Sequence, residues 1–236
     1  MAQALRELTA RRVRREPMAY VLGEREFWGL PFKVSPAVLV PRPDSETLIE
    51  AALALMPERQ RRWRLLDLGL GSGCLLLTLL REYPNASGVG MELSPEALAV
   101  AQANAQALGV AGRSRLVPGD WRQPGWQRPL GGPFDLLVSN PPYIEAGTIE
   151  RLMPEVARFE PRLALDGGPD GLAAYRAIAL AAPDLVVPGG RILVEAGEGQ
   201  VPEISRIFAS AGFAIEAPWK DLGGIDRVVT MVSVKH

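Results

Sequence analysis

The sequence contains very little of the chemistry on which many enzymes rely. Its 236 residues include one cysteine, Cys74, and one histidine, the terminal His236. One cysteine excludes an internal disulfide and fits a reducing compartment, so we expect a cytoplasmic protein. Because the one histidine is the last residue, a nucleophile activated by histidine is nearly excluded. Only carboxylates would remain as metal ligands, so we expect no metal site.

Strong net charge and long apolar runs are also missing. The formal net charge is −1, which gives no strong attraction to nucleic acid, so we expect no direct nucleic-acid partner. No uninterrupted apolar stretch approaches the roughly 20 residues that span a bilayer, so we expect no membrane insertion. What is present is a hydrophobic fraction of 47%, enough for the core of one large domain.

The order of apolar patterns along the chain predicts an α/β fold. Strands are predicted at 63–68, 86–91, 115–118, 134–139, 191–195, 214–217 and 227–234, and helices at 73–82, 94–108, 172–182 and 201–211. Alternating strands and helices indicate a mostly parallel sheet with helices on both faces. The last two strands have no helix between them, so they can pair antiparallel.

The residues before this alternation predict smaller elements. Residues 1–16 predict a charged helix, and residues 17–45 predict a β-hairpin and a linker. Asp44 or Ser45 can cap a helix that runs to about Met56. We therefore divide the chain into a helical segment at residues 1–16, a hairpin and linker at residues 17–45, and a main domain at residues 46–236.

The most informative segment is Asn140-Pro141-Pro142-Tyr143, which follows the apolar run Phe134–Ser139. Open α/β sheets bind ligands at the carboxyl ends of their strands, where Asn140 lies. The two prolines supply no backbone donor and restrict the turn, so the Pro141 carbonyl stays outside any ladder. Two fixed acceptors, this carbonyl and the Asn140 side-chain oxygen, would receive a planar NH2 group beside an aromatic ring. The alternative is an ordinary turn that ends a strand.

A glycine loop joins the first strand of the alternation to its helix. It reads Asp67-Leu68-Gly69-Leu70-Gly71-Ser72-Gly73, and its glycines allow a tight turn and a close approach to a ligand. A dinucleotide fold is the rival interpretation, but its fingerprint is Gly-x-Gly-x-x-Gly, whereas the spacing here is Gly-x-Gly-x-Gly. Asp67 would hold the loop or engage the amino group of a methionine moiety.

Two further strand ends carry candidate cofactor contacts. Glu92 can accept both hydroxyls of a ribose, unless it is merely an acid at the end of a strand. Asp120 can accept from an adenine amine, and Trp121 offers a flat apolar surface; a structural tryptophan is the alternative. None of these contacts suits a phosphate. The candidate site therefore favours S-adenosylmethionine over NAD or ATP as the ligand.

Together these residues resemble the class I S-adenosylmethionine-dependent methyltransferases, and more closely the HemK/PrmC family of release factor glutamine methyltransferases. The segments that carry the resemblance are Gly23–Trp28, Val40–Glu46, Asp67–Gly73, Asn140–Ile144, Arg158–Pro161 and Gly167-Gly168. The Asn-Pro-Pro-Tyr segment by itself does not identify the family, because enzymes that methylate adenine in DNA share it. The Pro-Arg-Pro-Asp and Arg-Phe-Glu-Pro segments are far more particular to the glutamine family.

The resemblance implies a fold, a cofactor and a substrate. The fold is a seven-stranded, mostly parallel sheet with one antiparallel strand, preceded by a short helix and a hairpin. The cofactor is S-adenosyl-L-methionine, bound by the glycine loop, Glu92, Trp121 and Asn140. The partner is a class 1 peptide chain release factor, whose Gly-Gly-Gln glutamine would bind at Asn140–Tyr143. There, Asn140 and Pro141 would each accept one N–H while Tyr143 packs against the amide.

The sequence departs from the family pattern in three places. Leu70 stands where threonine is usual, and Glu92 replaces the more common aspartate. Family members usually begin with a helical domain that helps to grip the release factor, and here residues 1–16 would be all that remains of it. The chain is naturally short, or is a piece of a longer one, or has a misassigned start.

Two other functions compete with glutamine methylation. An adenine or other nucleic-acid methyltransferase would need a basic surface and a target-recognition region, which the charge and length do not favour. A non-catalytic cofactor-binding domain would bind the ligand without transferring its methyl group.

Overall fold

The computed structural model describes residues 2–234, so the terminal His236 lies outside the described residues. The helices are α1 (Ala2–Val13), α2 (Met18–Leu22), α3 (Glu46–Leu55), α4 (Cys74–Glu82), α5 (Pro95–Ala107), α6 (Pro154–Phe159), α7 (Ala173–Leu185) and α8 (Val201–Ser210). The strands are β1 (Glu24–Phe27), β2 (Leu30–Lys33), β3 (Arg64–Leu68), β4 (Ser87–Glu92), β5 (Ser114–Pro118), β6 (Phe134–Ser139), β7 (Val186–Glu195), β8 (Phe213–Ile215), β9 (Trp219–Lys220) and β10 (Asp226–Ser233).

The central sheet has the order β5-β4-β3-β6-β7-β10-β8. Strands β3 to β7 pair in parallel, and β10 runs antiparallel to both β7 and β8. This confirms the predicted mostly parallel sheet with one antiparallel strand. The two-residue strand β9 also pairs with β10, across a register shift between Asp226 and Val228. It was not predicted, because two residues are too few to show an alternating pattern.

The sheet is buried on both faces, which explains why its strands read as continuous apolar runs. Successive side chains point to opposite faces: Leu65 and Leu193 pack with α3, α4 and α5, whereas Leu66 and Ile192 pack with α7 and α8. Among residues 2–234, no helix is long and apolar enough to cross a membrane.

The predicted hairpin is present at β1 and β2. Its turn residues Trp28 and Gly29 both have positive φ, 53° and 68°, as a tight two-residue hairpin turn requires. Phe27 and Phe32 are buried beneath it in an edge-to-face pair, with ring centroids 6.1 Å apart. The preceding five-residue helix α2, which ends at left-handed Gly23, was not predicted because it is too short to show helical periodicity.

Asn104 fastens the hairpin and the glycine loop to helix α5. Its side-chain oxygen accepts the Lys33 N–H at 2.8 Å, and its amide nitrogen donates to the carbonyls of Lys33, at 3.0 Å, and Ser72, at 2.9 Å. The side chain is fully buried. One asparagine thus joins β2, α5 and the loop before α4.

We predict that Asn104→Ala lowers the free energy of unfolding by about 2 kcal/mol, because it leaves buried backbone groups without partners. Urea denaturation with an unchanged m-value would measure this loss. Asn85→Ala is the matched control: Asn85 is exposed, although it donates to two oxygens of Gln60, and should change stability by less than about 0.5 kcal/mol. Equal effects of the two substitutions would contradict the role given to Asn104.

Candidate active site

The strand order reverses between β3 and β6, and the candidate site lies at that point. The chain moves from β3 outward to β4 and β5, then returns to β6 on the other side of β3. In open α/β sheets the crevice at such a reversal, at the carboxyl ends of the strands, is where ligands bind. The fold therefore brings the ends of β3, β4 and β6 together.

A cavity of about 870 Å³ opens at this crevice. The predicted site residues on its wall are Gly69, Leu70, Gly71, Ser72, Glu92, Asp120, Trp121, Asn140 and Pro142. The predicted residues that lie beside it without lining it are Asp67, Gly73, Pro141 and Tyr143. Residues 161–164, which sequence reasoning did not assign to the site, also line the cavity.

The glycine loop has the backbone that its sequence predicts. Gly69, Gly71 and Gly73 have φ of 78°, 55° and 83°, a region that side chains other than glycine rarely adopt. A Cβ on Gly69 would lie 3.2 Å from the ring of Trp121, so this glycine makes room for the tryptophan. A Cβ on Gly71 would meet no atom of the described residues within 4 Å, so the loop borders open space there.

Asp67 is buried behind the loop rather than exposed in the cavity. One carboxylate oxygen accepts the Leu76 N–H in the first turn of α4 at 3.3 Å. The other, Oδ1, is buried and has no partner among residues 2–234. Burial raises the pKa of Asp67 to about 7, opposed by the Leu76 hydrogen bond and reinforced by the negative charge of Glu92.

Glu92 is fixed on the cavity wall by three backbone groups. Its Oε2 accepts the Gly71 N–H at 2.9 Å, and its Oε1 accepts the N–H groups of Leu93 and Ser94 at 2.8 and 2.9 Å. Each carboxylate oxygen has two lone pairs, so Oε1 is fully used, whereas Oε2 can still accept one further donor from the cavity.

Asp120 and Trp121, which follow β5, also line the cavity. Arg122 donates to both oxygens of Asp120, at 2.8 and 2.9 Å, and this pairing lowers the pKa of the Asp120 carboxyl. Sequence reasoning missed this partner. Trp121 is half-buried, packing against the core on the α7 and α8 face and beside Gly69.

At the end of β6, the structure leaves two acceptors uncommitted. The Asn140 amide nitrogen donates to the Ser45 hydroxyl oxygen at 3.2 Å. Within residues 2–234, no donor reaches the side-chain oxygen of Asn140, and none reaches the backbone carbonyl of Pro141. Tyr143 points its hydroxyl at Glu195, 3.4 Å from Oε1.

Ser45 and Glu195 are site residues that sequence reasoning missed. Ser45 stands at the start of α3, where a cap was predicted, but its side chain makes no capping bond. Its hydroxyl instead donates to Glu195 Oε2 at 2.5 Å. Glu195 ends β7, beside β6, so a buried acid at a strand end was the signal that could have revealed it. Burial raises its pKa to about 7.

An ion pair joins the linker on the cavity wall to the residue that follows α6. Arg42 of the linker donates to both oxygens of Glu160 at 2.7 Å. The Glu160 side chain is 1% exposed, whereas that of Arg42, on the cavity wall, is 37% exposed. Burial raises the pKa of Glu160, and the Arg42 charge opposes that rise.

Comparisons with known proteins agree with this architecture. A model of the family "Methyltransferase small domain" matches residues 45–158. The fold and the site define a methyltransferase. The release factor glutamine methyltransferase of Bradyrhizobium diazoefficiens is 47% identical over 97% of this chain and 76% of its own length. The release factor glutamine methyltransferase of Geobacter sulfurreducens is 48% identical over 96% of this chain and 76% of its own length.

A solved structure points in the same direction. The release factor-specific protein-(glutamine-N5) methyltransferase of Alicyclobacillus acidocaldarius is 28% identical, with a TM-score of 0.52 over 86% of this chain and 100% of that one. The chain belongs to the release factor glutamine methyltransferase family, which confirms the resemblance seen in the sequence.

We predict that Arg42→Ala lowers the free energy of unfolding by roughly 1–3 kcal/mol, because it leaves the buried Glu160 carboxylate unpaired. The loss is smaller than for a fully buried pair because Arg42 is partly solvated. Thermal or urea unfolding of the double variant Arg42→Ala/Glu160→Gln should recover part of it, since no charge is then stranded. If the losses in the free energy of unfolding from the two single substitutions simply add in the double variant, Arg42 and Glu160 are not coupled.

Proposed function

We propose that this protein transfers the methyl group of S-adenosyl-L-methionine to the side-chain amide nitrogen of a glutamine. The substrate is the glutamine of the Gly-Gly-Gln motif in class 1 peptide chain release factors, so the enzyme supports translation termination in the cytoplasm. The observation that carries this proposal is the pair of uncommitted acceptors at Asn140 and Pro141.

The residues of the cavity suit S-adenosylmethionine. The glycine loop leaves room at Gly71 for a ligand to approach the backbone. Glu92 keeps a spare lone pair on Oε2 for a ribose hydroxyl, and Trp121 offers a flat apolar face near the Asp120 carboxylate. The unpartnered Asp67 Oδ1 adds a buried acceptor behind the loop. When bound, the cofactor supplies a methyl carbon made electrophilic by its sulfonium.

An amide nitrogen is a poor nucleophile because its lone pair is delocalised into the carbonyl. A protein can restore that lone pair by holding both N–H bonds out of the amide plane. Asn140 would accept one N–H with its side-chain oxygen, and Pro141 would accept the other with its backbone carbonyl. Alignment of this kind can lower a barrier by up to roughly 7–11 kcal/mol.

No strong base is required for the proton that leaves. The methylated, protonated amide is very acidic and releases its proton to water. Tyr143 would pack against the amide and restrict its rotation. Its phenol stays protonated and so provides no base, because burial, the nearby Glu195 charge and the Glu195 hydrogen bond all raise its pKa.

Mass spectrometry of a release factor after incubation with the enzyme and S-adenosylmethionine tests the proposal. The expected result is a gain of one CH2 on the Gly-Gly-Gln tripeptide and on no other peptide. A release factor with that glutamine changed to alanine is the control, and it should gain nothing. Equal methylation of the control, or methylation of a DNA or RNA duplex instead, would overturn the proposal.

We predict that Asn140→Ala lowers turnover at least about 10²-fold, because it removes a preorganised polar contact to the reacting nitrogen. Steady-state methylation kinetics measure the loss, and circular dichroism checks that the fold is intact. Asn85→Ala, an exposed asparagine remote from the cavity, should leave turnover unchanged. A near-normal rate in Asn140→Ala would count against the two-acceptor scheme.

A further inference from the structure

The proposed function requires one particular orientation of the Asn140 carboxamide. The oxygen and the NH2 group of a carboxamide have nearly the same shape, so packing alone does not choose between its two orientations. Only one orientation turns the oxygen toward a substrate N–H. In the other, Asn140 would present its own N–H bonds and repel the substrate amide. A nearby hydrogen-bonding group must therefore select the orientation.

We propose that Glu195 and Ser45 are positioning residues that lock the Asn140 carboxamide with its oxygen toward the substrate. This inference rests on the proposed function of Asn140. The three side chains form one chain of hydrogen bonds: Asn140 Nδ2 lies 3.2 Å from Ser45 Oγ, which lies 2.5 Å from Glu195 Oε2.

The direction of this chain follows from the chemistry of its ends. An ionised carboxylate has no hydrogen to donate, so the single Ser45 hydrogen must point at Glu195. Ser45 Oγ is then left with lone pairs only, and these can receive an N–H but cannot bond to the Asn140 oxygen. The amide nitrogen of Asn140 therefore faces Ser45, and its oxygen faces the other way.

Glu195 is held firmly enough to act as the fixed end. It is 1% exposed at the carboxyl end of β7, the strand that pairs with β6. The Tyr143 hydroxyl lies 3.4 Å from Oε1, and the Tyr175 hydroxyl donates to the Glu195 backbone carbonyl at 2.7 Å. Ser45 is also buried, at 2% exposure. Ser45 lines the cavity, but within residues 2–234 neither Ser45 nor Glu195 forms a hydrogen bond with the glycine loop, Glu92 or Asp120, so their loss should affect the chemical step more than cofactor binding.

The test compares two substitutions of Ser45. Ser45→Ala breaks the chain of hydrogen bonds from Glu195 through Ser45 to Asn140, which we call the relay. We expect kcat for release factor methylation to fall about tenfold, the scale of one lost hydrogen bond. The Kd of S-adenosylmethionine, measured by equilibrium dialysis, should stay within about twofold. Ser45→Thr keeps the hydroxyl and should retain most of kcat. Ser114→Ala on strand β5 removes a buried hydroxyl that has no hydrogen-bond partner among residues 2–234, and it should behave like the unchanged protein.

The outcomes separate this inference from the function on which it rests. An unchanged protein that fails to methylate the Gly-Gly-Gln glutamine overturns the proposed function. A fully active Ser45→Ala variant overturns the relay alone. Equal losses in Ser45→Ala and Ser45→Thr, or a cofactor Kd that rises along with the fall in kcat, would show that Ser45 is a packing residue and also overturn the relay.

The relay also predicts a pH dependence, because burial raises the pKa of Glu195 to about 7. The charged and titratable groups around it are Asp44 and Arg227, with Tyr143, Tyr175 and Cys74 from the other packed elements. Above this pKa the carboxylate accepts from Ser45. Below it, the protonated Glu195 can donate to Ser45, whose own hydrogen is then free to turn toward Asn140 and favour the wrong orientation.

We predict that kcat is full above pH 7 and falls as the pH is lowered through about 7, while cofactor Kd changes little. Glu195→Gln cannot ionise, so its kcat should be reduced and should lose this acid limb. Asp67 also has a pKa near 7, and if its titration caused the acid limb, the limb would persist in Glu195→Gln. A limb that persists in that variant would therefore contradict the role of the Glu195 charge.

Discussion

The hydrogen bond between Asn140 and Ser45 is the constraint on which the site depends. It engages one of the two N–H bonds of the Asn140 side chain and so holds the nitrogen on the Ser45 side, which leaves the oxygen as the group that faces a ligand. It also ties the end of β6 to the start of α3, and through Glu195 to the end of β7. A preorganised acceptor of this kind does not have to reorganise when the substrate binds.

The rest of the fold supplies rigid supports for that acceptor. The strand order places β3, β4 and β6 side by side, so the glycine loop, Glu92 and Asn140 meet at one edge of the sheet. Asn104 fastens the loop from behind, and the Arg42–Glu160 pair joins the linker before α3 to the segment after α6. Sites built on the ends of buried strands hold their geometry more precisely than sites on free loops.

Local signals in the sequence predicted much of this structure. The strand Phe134–Ser139 and the helix α5, whose first N–H groups include the Ala97 N–H accepted by Ser94, were predicted because apolar runs and capping residues act over a few positions. The pairs Ser45–Glu195 and Arg42–Glu160 were not predicted, because they join residues 150 and 118 positions apart. Hydrogen bonds over such separations have no periodic pattern, and only the folded topology reveals them.

A co-crystal structure of the protein with S-adenosylhomocysteine and a Gly-Gly-Gln peptide would test the central claim most directly. The account predicts that the glutamine amide nitrogen lies within roughly 2.7–3.2 Å of both the Asn140 side-chain oxygen and the Pro141 carbonyl oxygen. It also predicts that the Asn140 nitrogen remains on Ser45. A glutamine bound elsewhere, or an Asn140 carboxamide turned with its nitrogen toward the peptide, would contradict it.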